Sequence, residues 1–545
     1  MSKIAQYLNE HILGDVTTDV AVRKEFATDA SIVTAKPDLV VYPRATSDIR
    51  KVVRFAYQLA EKGHVIGIAP RGSGSNTTGA AVGKGIALAT RAHMNCIFEF
   101  DTKQRLVRLQ PGVTCLALNE ALKLQGYYLP AVPAHTPDSS IGGAIANGAV
   151  GAAGSQSGAI LDHTEELEVV LANGDVIQTR RLSKRELAKK MAQTDFEGQI
   201  YRAVDNLIEE NQQLVDTIDQ TTFDASGYAS IARVKQKNGS FDLTPLFVGS
   251  QGTLGVISEM IMKVEFYGDE QIMVAAAFSS QQALHDAFDD ICKLSPEQVL
   301  VIDGKLVTAA HEKGYQHELL TAAKAEKPRV AGVLRCTFAD FNERTRKRKA
   351  KKCQKLFEKF GATAVHMSES QAELDDIAAL DGVVYSALRT TTTESIASPF
   401  FTGVYIPPER CDEFIGALHK LELQHTITFP YTGDVVRSIY DFYPQFTYRT
   451  VQERQKMLKV YDMFAGLVAA HGGSIVATAG EGRAKSPFVR KQWSPELTKL
   501  YDAVRDIFDP CSTLNPGVKQ TTELREVVGL LRPTYSNHTN STYAR

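Results

Sequence analysis

The sequence predicts a multidomain α+β protein. Three observations carry that expectation. At 545 residues the chain exceeds what one hydrophobic core can hold. Its first 180 residues alternate β-rich runs with helical periodicity, and from about residue 270 a new unit begins with its own amphipathic helices and β-rich runs.

The elements follow in order. DLVVYP (38–43) reads as a strand. TSDIRKVVRFAYQLAEKG (46–63) opens on Thr and Ser, carries Ile49, Val52, Val53, Ala56 and Leu59 at helical spacing, and stops on Gly63. VIGIAP (65–70), GIALAT (85–90), CIFEF (96–100) and RLVRLQPG (105–112) read as further strands, and TCLALNEALKLQG (114–126) as a short helix. LEVVLANGDVIQT (167–179) joins two β-rich runs across Asn173-Gly174, a hairpin signal. Residues 183–243 turn polar, charged and helical in pattern, and 245–266 return to strands around a glycine cluster. In the second unit, 281–294 and 342–360 read as amphipathic helices. HGGSIV (471–476) and DPCSTLNPGVK (509–519) are tight turns, and 520–545 reads as a tail.

Composition excludes several classes. A net charge of −2 gives no field for nucleic acid. No apolar stretch reaches the roughly 18 residues that a membrane span needs. MSKIAQYLNEHILGD lacks the apolar core of a secretory leader. The cysteines at 96, 115, 292, 336, 353, 411 and 511 form no CxxC pair, so free thiols in a reducing, cytoplasmic compartment are expected. ERTRKRKAKKC (343–353) packs seven basic residues into the nine positions from Arg344 to Lys352. It reads as a solvated helix face, or as a docking patch for an anionic membrane or acidic partner. Association with a second copy of the chain is left open.

The chemistry starts at PRGSGSNTTG (70–79). Glycines let main-chain amides approach an anion closely. Two better-known phosphate loops fail here. GAAVGKG (79–85) has three residues instead of four between its glycines, with Gly85 where a Walker loop needs Ser or Thr. Gly72 and Gly74 fit a dinucleotide fingerprint, but Thr77 takes the third glycine's place and a strand follows. Downstream, TPDSSIGGAIANGAVGAAGSQSG (136–158) is a second loop of nearly all small residues, unable to build a core but able to line a narrow channel. GSQGTLGVISE (249–259) is a third small-residue cluster. The three suggest a long cofactor threaded between subdomains.

Four blocks in this order carry a resemblance: PRGSGSNTTGAAV with QPGVTCLALNEAL, SSIGGAIANGAVG, LEVVLANGDVI with GSQGTLGVISE, and HGGSI with LNPG. They resemble the flavoproteins of the vanillyl-alcohol oxidase and p-cresol methylhydroxylase type. The nearest branch is that of D-lactate dehydrogenase, glycolate oxidase and D-2-hydroxyglutarate dehydrogenase. The resemblance implies an FAD-binding domain in two subdomains over 37–268, with 183–243 as a helical insert and 1–36 as a helical lead-in. It implies an α+β cap for the substrate over 269–470, a returning segment over 471–519 that completes the flavin site, and a tail over 520–545.

By the same resemblance, amides of Arg71, Gly72, Ser73, Gly74, Ser75 and Asn76 would cradle the FAD pyrophosphate. Gly79, Pro111 and Gly112 would line the same channel. Ser140, Gly142, Gly143, Asn147 and Gly151 would follow the ribityl chain and ring, Val256 and Ile257 would take the adenine side, and Asn515 would lie near the flavin. Some relatives attach FAD through a His just after this loop; Ser75 holds that place here, so non-covalent FAD is expected.

Oxidation of a 2-hydroxy acid needs a cation for the carboxylate, a base for the hydroxyl proton, and C2 about 3–3.5 Å from the flavin. VVYSALRTTTT (383–393) matches the family's Arg-bearing stretch, with Tyr385 as the aromatic and Arg389 and Thr393 at the carboxylate. The metal-binding stretches of the branch do not carry over. Tyr431, Ser438 and Tyr440 stand in one at the places of His, His and Asn, and Thr478 and Ala479 stand in the other at Glu and His. No metal is expected. His471, Tyr431, Tyr440 and His425 remain as base candidates. The expected function is FAD-dependent oxidation of a small 2-hydroxy acid such as D-lactate or glycolate, with quinone, a haem protein or oxygen as acceptor. Two alternatives stay open: oxidation of an alcohol, polyol or phenol, and a non-catalytic flavin-binding or electron-transfer subunit. The basic stretch at 343–353 is compatible with peripheral contact with a membrane.

Overall fold

The computed structural model describes residues 2–133, 138–151, 158–218, 225–268, 270–324, 330–388, 395–521 and 523–535. The chain divides into two compact units. The first holds the described residues up to 265 and those of 476–533; the second holds those of 266–475. The chain therefore leaves the first unit after 265 and returns to it at 476.

The first unit contains two sheets. One has the order Asp15–Thr17, Leu39–Tyr42, Ile86–Ala89, Ile68–Arg71. Its last three strands are parallel and the first is antiparallel. The helix Thr46–Ala60 covers it, burying Ile49, Val52, Val53 and Ala56 against Leu39, Val41, Ile68 and Ile86. Its start differs from the sequence reading. Ala45 is the cap and offers no side-chain bond. Asp48 does the work instead, accepting from the main-chain N–H of Leu13 at 2.9 Å and Arg44 at 3.0 Å.

The second sheet is antiparallel, in the order Ile97–Asp101, Leu106–Leu109, Val256–Lys263, Thr164–Val170, Val176–Thr179. Its hairpin turns at Gly174, with φ +85°. The insert helix Phe196–Glu210 and the later helix Pro495–Phe508 pack on one core with this sheet, through Ile200, Tyr201, Val204, Leu500, Tyr501 and Phe508.

Several segments differ from the sequence reading. The small-residue stretch holds the helix Ile141–Asn147, whose Ile141, Ala144 and Ile145 are part of the core. Ser140 caps it, accepting from the Gly143 N–H at 3.3 Å, and Gly148 ends it with φ +63°. Small residues here permit close packing rather than forbid it. Thr244–Phe247 is a short helix with Pro245 in its first turn, not a strand. The 281–294 stretch breaks into Gln281–Asp286 and Phe288–Cys292. Within 520–545, read as a tail, Leu524–Leu530 is a helix. Leu531 then bridges to Val33, and the Arg532 N–H donates to the Ile32 carbonyl at 2.9 Å.

The second unit is built on a seven-stranded antiparallel sheet, ordered Ala364–Met367, Ile272–Phe278, Gly332–Phe338, Gln298–Asp303, Tyr431–Asp434, Ile439–Phe442, Val404–Tyr405. The basic helix Glu343–Lys359 buries Ala350, Cys353 and Phe357, with Phe357 edge-on to Phe278 at 5.9 Å. Beside the sheet, Phe401, Phe414, Phe429, Phe442, Tyr461 and Phe464 form an aromatic core.

Candidate functional site

A cleft lies wholly within the first unit. Its walls are the end of the strand Ile68–Arg71 with the turn after it, the helix Ile141–Asn147 with its cap, and the run 250–257. The walls are close because glycine permits it. A Cβ at Gly72 would stand 1.9 Å from the Ser140 hydroxyl, and one at Gly142 would stand 2.5 Å from the Pro111 ring.

The turn supplies the chemistry. Among the described residues, no acceptor meets the main-chain N–H groups of Gly72, Ser73, Gly74, Ser75 or Asn76. These consecutive donors stand on the wall of a cleft, and unpaired N–H groups call for an anion or water. The helix N-terminus contributes less. The N–H groups of Ile141 and Gly142 are already spent on the carbonyls of Val113 and Pro111, at 2.8 and 3.0 Å. The Ser73 hydroxyl donates to the Asp138 carbonyl at 2.5 Å, and Ser75 pairs with Ser139 at 2.7 Å, so these hydroxyls fix the turn.

The Arg71 side chain braces the turn from behind. Its guanidinium donates to the carbonyl of Thr28 at 2.7 Å and lies 5.0 Å from the centre of the Phe26 ring. Asp29 is buried nearby, and burial pushes its carboxyl up while Ser31 and Arg71 act against that. What Arg71 offers the cleft is its main chain.

Beneath the turn lies an amide network that the sequence reading missed in part. Asn76 accepts from the N–H of Thr78 and of Ala80, both at 2.9 Å. Its amide donates to Asn147 Oδ1 at 2.9 Å and the Ala479 carbonyl at 3.1 Å. Gln251 donates to the same two acceptors, each at 3.0 Å, and accepts from the Gly482 N–H at 2.8 Å. Asn515 donates to the carbonyls of Ala80 and Gln251 at 2.9 and 2.8 Å, while Arg483 donates to its Oδ1 at 3.1 Å. Gln251, Ala479 and Asn515 all hold positive φ, between 45° and 58°. The returning segment is fastened again by Lys519. Its ammonium, buried together with Glu481, meets that carboxylate at 3.2 Å and the carbonyls of Gly227 and Ala225 at 2.8 and 3.1 Å. Burial also pulls the Arg483 guanidinium down to about 10.

Of the residues assigned to FAD from sequence, the cleft is lined by Arg71 to Asn76, Pro111, Ser140, Gly142, Gly143, Asn147, Val256 and Ile257. Four others are not among its lining. Gly79 packs on Val33, Gly112 lies under the carbonyls of Met94 and Thr90, Gly151 lies against Pro130, and Asn515 sits behind Ala80 and Gln251. Thr90, Ala146, Ser250, Gln251 and Gly255 line the cleft without having been singled out. The GSQGTLG cluster marked the last three as a stretch.

The catalytic candidates belong to the second unit, and Arg389 and Thr393 lie outside the described residues. Tyr431 and Tyr440 are buried, their rings 6.0 Å apart, and the Tyr440 hydroxyl meets the Cys411 thiol at 3.3 Å. Burial raises both phenols far above their ordinary range, so neither supplies a phenolate near neutrality. His471 ends the helix Val451–Ala470, with Nδ1 on the Leu467 carbonyl at 2.8 Å and its ring edge-on to Phe414. That leaves only its other nitrogen for chemistry. His425 is the last residue of the helix Cys411–His425. Among the described residues, no three His, Cys, Asp or Glu side chains converge as metal ligands would.

Two family descriptions match the chain: the FAD binding domain over 37–180, and the C-terminal domain of FAD linked oxidases over 269–518. Together they cover most of it. The chain belongs to the FAD-linked oxidase flavoproteins. The cleft fits the cofactor that this family binds: a run of free amides for a diphosphate, closed around by glycines. The D-2-hydroxyglutarate dehydrogenase of Pantoea ananatis is 27% identical over 526 residues, 92% of this chain and 50% of that protein. The chain thus spans about half the length of the first such relatives. The glycolate oxidase subunit GlcD of Bacillus subtilis is 26% identical, with 88% of each chain covered. The D-lactate dehydrogenase of Anaerostipes hadrus is 22% identical, with 89% of each covered. Among solved structures, p-cresol methylhydroxylase with substrate bound shares the fold at a TM-score of 0.69 and 14% identity, over 95% of this chain and 96% of that one. The 4-ethylphenol oxidase of Gulosibacter chungangensis in complex with isoeugenol does so at 0.67 and 16%, over 96% and 98%.

Proposed function

We propose that this flavoprotein oxidises a small 2-hydroxy acid at C2 and passes the electrons to a second acceptor. The observation that carries the flavin half is the row of unpaired amides from Gly72 to Asn76 on the cleft wall. The substrate half rests on relatives that are named as dehydrogenases or oxidases of D-2-hydroxyglutarate, glycolate and D-lactate. Bound in the cleft, FAD supplies a two-electron acceptor. The chain supplies the rest. The amides of the turn hold the diphosphate. Asn76, Asn147 and Gln251 fix the cleft floor on the returning segment. Arg389, with Thr393, holds the substrate carboxylate as a bidentate partner. The base is a protein side chain acting without a metal, and His471, with Nδ1 on the Leu467 carbonyl, keeps its other nitrogen for the role. Quinone, a haem protein or oxygen takes the electrons onward.

The test is anaerobic reduction of the FAD-loaded protein by a panel of substrates. D-lactate, glycolate or D-2-hydroxyglutarate should bleach the flavin, and alcohols and phenols should not. Bleaching by phenols alone would overturn the substrate class. If no compound on the panel bleaches a fully loaded flavin, the chain is a flavin-binding subunit instead.

A further inference from the structure

We propose that the helix Glu343–Lys359 docks this protein on an anionic phospholipid surface. The helix carries nine basic and two acidic residues, in a molecule whose net charge is −2. Its buried face is Arg346, Ala350, Cys353 and Phe357. At 3.6 residues per turn, Arg344, Arg348, Lys351 and Lys355 fall in one line on the opposite side, with Lys352 beside them.

The remaining cations of the helix are engaged: Arg346 with Glu270, Lys347 with Glu343, Lys349 with Asp340 and Lys359 with Asp290. Among the described residues no carboxylate pairs with Arg344, Arg348, Lys351, Lys352 or Lys355, and all five are exposed. This is a row of five positive charges that no described carboxylate pairs, with Glu358 the one carboxylate of the helix near its end and Glu343 taken by Lys347.

Apolar surface adjoins it. Phe341, two residues before the helix, is 72% exposed, with its ring edge 3.4 Å from where a Cβ at Gly268 would stand. Phe266, just upstream of Gly268, is 52% exposed. Lysine-rich charge with adjoining exposed aromatics suits a planar anionic bilayer, where flexible ammonium groups meet a diffuse charge and rings enter the headgroup layer. A folded acidic partner would call for fixed, complementary geometry that a convex line of two arginines and two lysines, with no partner among the described residues, does not provide.

Sedimentation with vesicles tests this on the full FAD-loaded chain. Vesicles of phosphatidylcholine alone and of phosphatidylcholine with phosphatidylglycerol would be compared over rising salt. The wild type should bind the anionic vesicles, release as salt rises, and ignore the neutral ones. Each lost cation should weaken partitioning about fivefold, so R348E/K351E/K355E should lose at least about a hundredfold. Phe341→Ser should bind severalfold more weakly with an unchanged salt dependence. Flavin content and thermal unfolding should match wild type in both variants. Wild-type protein that stays in the supernatant, or a charge-reversed variant that binds as wild type does, would overturn the proposal. So would tighter wild-type binding to polyglutamate or duplex DNA than to the anionic vesicles.

Discussion

A methyl group at position 72 has nowhere to go. It would fall on the hydroxyl of Ser140, which also caps the helix Ile141–Asn147. Gly72→Ala should therefore push the turn away from Ser140 and weaken FAD binding by at least about a hundredfold, while thermal unfolding of the apo chain shifts little; equilibrium titration with FAD measures it. Arg389→Ala should lower kcat/KM for a hydroxy acid by about a thousandfold, as expected for loss of a charged anchor, and leave FAD bound. Unchanged turnover would remove Arg389 from the substrate site. Asp303 gives a pH prediction. It caps the helix Gly304–Glu312, donated to by the Lys305 N–H at 3.0 Å, and burial pushes its carboxyl up to about 6. The folded state then binds the proton more tightly than the unfolded chain. Stability from this group is full below pH 4 and is lost as pH rises from 4 to 6, by up to about 3 kcal/mol. Asp303→Asn keeps the cap and should flatten that loss, leaving the variant more stable at pH 8 in urea unfolding.

At the scale of elements, the returning segment is the piece on which the cleft floor depends. Lys519 and Glu481 are both buried, and each also meets main-chain groups at Gly227. Removing one partner strands a charge away from water. Lys519→Met should cost about 3–5 kcal/mol and release FAD, whereas the double variant Lys519→Met with Glu481→Gln should recover much of the stability. Which elements were legible follows from how local their signals are. The Asn173-Gly174 hairpin and the helix at 46–60 declare themselves through turn chemistry and periodicity. The helix Ile141–Asn147 does not, because IGGAIAN has poor helix formers and is held by tertiary packing on Pro111 and Val113. The helix at 524–530 was hidden for the same reason: its partners lie near residue 33, some 500 positions away.

At the scale of the molecule, two units share one chain that leaves the first and comes back. The first three motif blocks contribute residues to the cleft and LNPG lies on the segment that floors it, while HGGSI falls in the second unit, so the flavin cleft could be read from glycine placement and motif order. Its amide network could not. Asn76, Asn147, Gln251 and the Ala479 carbonyl meet only after folding, and nothing in the local sequence of Gln251 or Ala479 marks them as partners. The substrate half rests on resemblance alone: Arg389 and Thr393 lie outside the described residues, and Tyr431 and Tyr440, at two of the expected metal positions, are buried in aromatic packing. The measurement that tests the account most directly is titration of the flavin-stripped chain with FAD. One equivalent should bind, give a yellow protein with a flavin spectrum, and be released intact by acid. A chain that remains colourless after incubation with excess FAD would contradict the account at its root.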